Sequence, residues 1–458
     1  MGYAATPCMP GAWGVVFRDG IPKGRVACGP GRGRVGDLFS MSLISISSLT
    51  MARVARLVRG VCMAVMVGAV VGSASALFLW LLDGVTRLQG GHGWLLWCLP
   101  VLGMLVAWMY GRWGRDVSRG TCVIIDEHHL PDKGVPPLRA PLVLVGTLLT
   151  HLGGGSAGRE GTAVQMGGSL AATLARVFRV HASSVHLWLA AGMAGGFGAV
   201  FGTPIAGAVF AMEVVVAGRL NVAVRVPALV ASVVGHLTCL AWGPVHTDYR
   251  SLVAHVDASW SLLGKIVLAG LAFGLLGRLF VSVSHGVQKQ LARWIPSPIW
   301  RLAFGGLVVI LLVYALGTRD FLGLGVVSAS GSGVSILSCF HDGGATWWSW
   351  LWKLIFTVVT LASGFKGGEV TPLFFIGAAA GHALGVLGHE PVGLFAALGL
   401  IALFSSAAKT PLTGAVLGVE LFGAPVALYG AIVCVTAYLV SGKRGLYAAQ
   451  RRAGEAGQ

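Results

Sequence analysis

The chain has 458 residues, of which 55% are hydrophobic and only 11% charged, and 69 are glycine. Soluble proteins of this size are about one quarter charged, so this composition and a mean hydropathy of +0.79 exclude a disordered chain and an ordinary soluble enzyme. The formal net charge of +16 could suit a nucleic-acid binder, but the basic residues stand in loops between apolar runs, as the cytoplasmic loops of membrane proteins do. No nucleic-acid partner is expected.

Residues 1–50 are Gly-rich, Pro-containing and basic, and are expected to be a disordered tail or an upstream extension, with Met9, Met41 and Met51 as alternative starts. Val61–Leu82 is free of charge and long enough to span. Arg53, Arg56 and Arg59 precede it and put its start on the cytoplasmic side. Gly93–Gly111 returns the chain inward to Arg112, Arg115 and Arg119, so two basic clusters agree on one orientation.

Beyond that point the apolar runs become short and Gly-broken. They are Ala140–Thr150, Thr162–Leu174, Leu187–Met212 and Val226–Leu240, then Leu302–Thr318, Leu354–Phe365, Val370–Gly381, Pro391–Ala408, Pro411–Val419 and Leu421–Gly442. Runs of about 10–14 residues are too short to cross straight. They suit helices that stop inside the membrane, where their ends must be buried in protein or line a cavity. The eight cysteines are scattered without CxxC spacing and read as packing residues. His128 and His129 lie beside Asp126 and Glu127 in what reads as a polar, solvated loop, and no metal site or cofactor is expected.

An internal repeat sets the architecture. Glu160-Gly161-Thr162 and Glu369-Val370-Thr371 both read Glu-x-Thr, each with a glycine eight residues after its Glu, at an offset of 209. Thr203-Pro204-Ile205-Ala206-Gly207-Ala208-Val209 matches Thr410-Pro411-Leu412-Thr413-Gly414-Ala415-Val416 at an offset of 207, and Glu213 matches Glu420. The chain is therefore read as an all-α polytopic membrane protein of two repeats, 52–245 and 255–450, with a short tail at 451–458. Broken helices at matching places in two halves point to a transport site at the repeat interface.

Both Glu-x-Thr motifs follow Gly-rich approaches to apolar helices, and Pro204, Pro372 and Pro411 suit first helical turns. Helix starts expose unpaired N–H groups and a partial positive charge, so several converging in the membrane would hold an anion without a fixed full cation. Glu160 and Glu369 stand at such starts among just 17 acidic residues. An ionisable group in a membrane interior is a functional candidate. An ionised Glu is a tethered anion that can occupy the place of a mobile one, and protonation lets it leave. Glu213 and Glu420 read as structural helix-end acids, Arg159 as a hydrogen-bonding scaffold and Lys366 as a structural or interfacial cation.

Gly158-Arg159-Glu160-Gly161-Thr162 resembles the GREG(P/T) signature of the CLC chloride channels and transporters. Phe201–Gly207, Phe321-Leu322-Gly323-Leu324-Gly325 and Gly442–Tyr447 resemble three further CLC segments in the same order, so the resemblance covers about residues 52–450. It implies an inverted-topology repeat of tilted and broken helices. The chloride branch has Gly-Ser-Gly-Ile-Pro where this chain has Gly120-Thr121-Cys122-Val123, and Gly-Gly-Ile-Phe-Ala-Pro where it has Gly367-Gly368-Glu369-Val370-Thr371-Pro372. The inner proton-relay Glu of that branch aligns with Val214. Glu369, Thr371 and the run Gly158–Ala171 resemble the fluoride branch, the CLC-F fluoride/proton antiporters.

That resemblance implies a fluoride exporter with Glu160 as gate and proton carrier and Glu369 on the proton and fluoride path. Gly158, Arg159, Gly161, Val370, Thr371 and Tyr447 would face the anion, and Thr121 stands where the branch has Asn. A chloride channel or chloride/proton exchanger of the same fold is the alternative. The resemblance also implies a homodimer in a cell membrane, of the bacterial inner-membrane kind, with both termini cytoplasmic. No catalytic Ser/His/Asp set or nucleotide loop suggests an enzyme.

Overall fold

The computed structural model describes residues 35–114, 120–129, 134–244, 246–328, 331 and 333–452, with side chains from Leu57 onward. Fifteen α-helices make up almost all of it. In the first half they are α1 (Val35–Gly91), α2 (Leu99–Trp113), α3 (Cys122–His129), α4 (Arg139–Leu152), α5 (Glu160–Val177), α6 (Val185–Phe201), α7 (Pro204–Glu213) and α8 (Arg225–Ala241). The second half contains α9 (Trp260–Trp294), α10 (Pro298–Leu316), α11 (Ser349–Ser363), α12 (Val370–Gly388), α13 (Val392–Ala408), α14 (Pro411–Phe422) and α15 (Ala427–Val440). Two residue pairs, Val216–Ala217 and Arg451–Arg452, form a short parallel ladder that ties the end of the chain to the first half.

Three sequence expectations change. Helix α1 starts at Val35, within the stretch expected to lack helical order, and residues 1–34 lie outside the described residues. Its start contains no proline or glycine pair to stop a helix. The 35-residue α9 is absent from the predicted runs, because Lys265, Arg278 and Lys289 interrupt its apolar sequence. His128 and His129 end a helix rather than sit in a solvated loop: His128 is buried, with Nε2 3.2 Å from Asn221 Nδ2. Of the basic cluster after α2, Arg115 and Arg119 lie outside the described residues.

Among the described residues, seven helical stretches are long and apolar enough to cross a membrane, and the remaining apolar helices are shorter. Large apolar side chains face outward along them, among them Leu268 on α9 and Leu311 on α10, each about two-thirds exposed. Water would penalise that surface; lipid tails do not. This is a multi-pass membrane protein.

The interior is built by close backbone approach. Glycines face each other across α5 and α6 (Gly167 and Gly192), and across α12 and α13 (Gly377 and Gly399); a Cβ on any of the four would collide with the opposite backbone. The same small-residue contact thus occurs once in each half. The apolar run Leu187–Met212 breaks between α6 and α7, where Gly202 is left-handed (φ 75°) before Thr203-Pro204. Lys409 takes the same conformation (φ 61°) between α13 and α14, although it is not glycine. Its ammonium offsets that strain by donating to Ser441 Oγ at 2.6 Å and Ser441 O at 3.1 Å.

The paired half-helices cap each other. Glu213, the last residue of α7, accepts from Leu412 N (3.0 Å), Thr413 N (2.8 Å) and Thr413 Oγ1 (2.7 Å) in the first turn of α14. Glu420 on α14 accepts from Ile205 N (2.9 Å) and Ala206 N (2.7 Å) in the first turn of α7. Both acids are structural, as expected, and each serves the opposite half.

Glu213→Ala leaves two N–H groups and a hydroxyl without an acceptor in an apolar core. It should lower stability by about 1–3 kcal/mol, with Glu213→Gln in between. Thermal unfolding of the detergent-solubilised protein measures this, and an unchanged midpoint for Glu213→Ala would remove the cap from the fold's supports.

Candidate functional site

The two Gly-rich approaches meet at one point. Gly158 N donates to Gly368 O at 2.6 Å and Gly368 N donates to Gly158 O at 2.7 Å, an isolated antiparallel bridge between the halves. Only glycine allows it: a Cβ on Gly158 would lie 2.9 Å from Gly368 O, and one on Gly368 would lie 2.7 Å from Gly161 N. Around the bridge, Ser156 N donates to Thr360 Oγ1 (3.2 Å), and the Ser156 and Thr357 hydroxyls are 3.1 Å apart. His151, buried at the end of α4, lies 3.0 Å through Nε2 from Ala157 O. The first approach is thus fixed by α4 and α11 together.

The bridge sets the two Glu-x-Thr motifs side by side. Glu160, the first residue of α5, is fully buried. Its Oε2 accepts from Thr371 Oγ1 (2.5 Å), Thr371 N (3.2 Å) and Arg159 N (3.1 Å). The other oxygen, Oε1, has no hydrogen-bond partner and faces Arg159 Nε at 3.5 Å. A carboxylate of the first half therefore occupies the exposed N–H groups at the start of α12, where a free anion would bind. Val370, the first residue of α12, is buried beside it.

A cavity lies on each side of this septum. One, of about 440 Å³, is lined by Thr121, Cys122, Gln165, Lys366, Glu369 and Tyr447, among others. Glu369, the N-cap of α12, reaches toward Gly161, where an added Cβ would lie 3.6 Å from Glu369 Oε2. Lys366 is a cavity residue, with Nζ 4.4 Å from the centre of the Tyr110 ring. The other cavity, of about 580 Å³, is lined by Arg159, Gln89, Asp320 and the segment Leu322–Gly325. Of the nine residues singled out from the sequence, Thr121, Glu369 and Tyr447 line the smaller cavity, Arg159 lines the larger one, and the rest lie on the septum.

Two buried cations escaped the sequence reading. Arg139, fully buried at the start of α4, grips Gly120 O and donates to Gln165 Oε1 at 3.3 Å, which holds the Thr121 loop in place. Lys353, fully buried on α11, donates to Phe321 O (3.1 Å) and Gly323 O (2.9 Å). Neither has a carboxylate partner among the described residues. For Lys353, a lone cation inside an apolar helix was the available signal.

Residues 102–442 match the family model described as voltage gated chloride channel. This chain belongs to the CLC family. It is 45% identical over 387 residues to a "chloride/fluoride channel protein" of Pseudomonas syringae pv. tomato, covering 84% of this chain and 85% of that one. The structure resembles that of a CLC-type fluoride/proton antiporter with a TM-score of 0.82 and 33% identity, over 87% of this chain and 98% of the other. A slow cyanobacterial Cl⁻/H⁺ antiporter shares the fold, with a TM-score of 0.72 at 21% identity. The CLC architecture of tilted and broken helices is the one expected from the motifs.

Gly368→Ala should open the bridge and lower anion flux roughly tenfold, equivalent to about 1.4 kcal/mol at the barrier. Flux from reconstituted liposomes checks this, with size exclusion confirming an intact fold. Full flux would show that the bridge is dispensable.

Proposed function

We propose that this CLC protein is a fluoride/proton antiporter that exports fluoride. The carrying observation is the Glu160 carboxylate, sealed between two cavities on the hydroxyl and N–H of Thr371. An ionised Glu160 and an arriving anion need the same donors. Protonation removes the charge that holds Glu160 there, so the carboxyl leaves as the anion enters, and the proton travels with it. Competition for one set of donors couples the two movements. Proton and anion, with the lipid bilayer around them, are the partners.

The anion path runs from Thr121 and Tyr447, past Glu369 and the Gly158–Gly368 bridge, to the N–H groups of Arg159, Gly161, Val370 and Thr371. Fluoride is small, strongly hydrated and a strong acceptor, so short donors such as the Thr371 and Thr121 hydroxyls suit the replacement of its water. A protonated carboxyl is also a donor, which gives Glu369 a part in passing both ions. Two relatives support the choice of ion: the 45% identical protein is named for chloride and fluoride, and the 33% identical structure is that of a fluoride/proton antiporter.

The Tyr447-side cavity faces the cytoplasm in this reading, with both termini, because Arg59 and Arg112 flank the first spans. The halves 52–245 and 255–450 form inverted repeats, and two copies form a homodimer in a bacterial inner membrane, each with its own path.

Purified protein in liposomes tests the reading. Fluoride efflux should exceed chloride efflux and take up protons; a preference for chloride would overturn the fluoride assignment in favour of a chloride exchanger. Glu160→Gln should abolish proton-linked fluoride movement or uncouple it, and intact coupling in that variant would remove Glu160 from its role. Glu369→Ala should slow fluoride transport at least about tenfold, and a normal rate would take Glu369 off the path.

A further inference from the structure

Lys353 explains one wall of the Arg159-side cavity. Its ammonium lies behind the loop Phe321–Gly325, fully buried, and bonds the carbonyls of Phe321 and Gly323. It is not among the residues that line the cavity, whereas Leu322, Gly323, Leu324 and Gly325 are. The loop is therefore a thin layer with a cation on one side and the cavity on the other. Gly323 (φ 53°) and Gly325 (φ 70°) are left-handed, and a Cβ on Gly325 would lie 3.2 Å from Lys353 Nζ, so glycine lets the loop lie against the ammonium.

The bonds to Lys353 orient the loop's amides. No peptide bond among the described residues is cis. In a trans peptide the C=O and N–H point opposite ways. With the Phe321 and Gly323 carbonyls turned to Lys353, the N–H groups of Leu322 and Leu324 turn away from it. Leu322 N uses its proton on Arg319 O at 3.1 Å. Leu324 N–H has no acceptor among the described residues and points to the cavity side. An unpaired N–H whose flanking carbonyls are held by Lys353 is a donor turned toward the cavity. The Arg159 guanidinium lines the same cavity. The acids there are Asp83, which is paired with Arg87, and Asp320, whose Oδ1 accepts from the Ser328 hydroxyl at 3.5 Å.

We propose that Leu324 N–H and Arg159 form an anion-binding station in this cavity, for a small hard anion such as fluoride or chloride, and that Lys353 is its positioning residue. The station lies beyond the gate from Thr121 and Tyr447, so an exported anion would pause there before release. This deepens the transport reading and rests on it.

The test compares three proteins: wild type, Lys353→Met, and a backbone ester at Leu324 made with leucic acid, which deletes only the N–H. Fluoride is added in turn to each face of liposomes that hold protein in one orientation. The ester and Lys353→Met should each raise the half-inhibitory fluoride concentration on the Arg159 side at least about threefold, and leave the KM from the Tyr447 side unchanged. An ester that matches wild type on the Arg159 side overturns the proposal. Equal shifts on both faces also overturn it, because a merely structural lysine would produce them. Calorimetry with sodium fluoride and sodium chloride on the detergent-solubilised proteins reads the station without transport. Weaker binding in the ester upholds the station even if wild type moves no fluoride, in which case only the transport reading fails.

Discussion

Helices that begin inside a membrane leave N–H groups with no water to accept their protons. Much of this fold answers that one constraint, and the answers cross between halves. Glu160 of the first half serves the start of α12. Glu213 serves α14, and Glu420 of the second half serves α7. The backbone bridge between Gly158 and Gly368 follows the same rule with carbonyls in place of carboxylates. Each half supplies what the other lacks, and the interface between them is where the unpaired groups collect.

The same interaction is made by both oxygens in two places and by one oxygen in a third. Glu213 and Glu420 each bind with both oxygens. Glu160 binds through one oxygen, leaves the other unpartnered, and stands between the two cavities. A carboxylate held on one side with open volume nearby has an alternative place to go. One held through both oxygens does not.

The architecture was legible because its devices repeat in the sequence. Two Glu-x-Thr motifs and two Thr-Pro starts mark the broken helices, the motif around Glu160 points to the family, and Glu369 with Thr371 and the run Gly158–Ala171 point to its fluoride branch. What stayed hidden depends on partners far apart in the chain. Glu213 read as a helix-end acid, but the turn it caps starts 199 residues later. Lys353 and Arg139 went unnoticed, since a bond to a backbone carbonyl needs no recognisable partner residue. Helix α9 was missed for a related reason: its charges break the apolar run, yet Lys265 is satisfied at its end by Glu390 (2.5 Å) and Gly388 O (3.0 Å). His128 looked solvated because its neighbours in sequence are polar, while in space it is buried against Asn221 and His186.

The exchanged caps also bear on how the protein is made. The first half leaves the ribosome with the start of α7 still lacking Glu420, and with Glu160 and Glu213 lacking the amides they serve. None of these debts can be settled until α12 and α14 have entered the bilayer more than 150 residues later. During that interval the half-helices must stay near the lipid headgroups, in contact with water or insertion machinery, rather than sink to their final depth. Insertion of the second half then completes both halves together, so the re-entrant segments reach their native depth last, late in synthesis, as a single cooperative step.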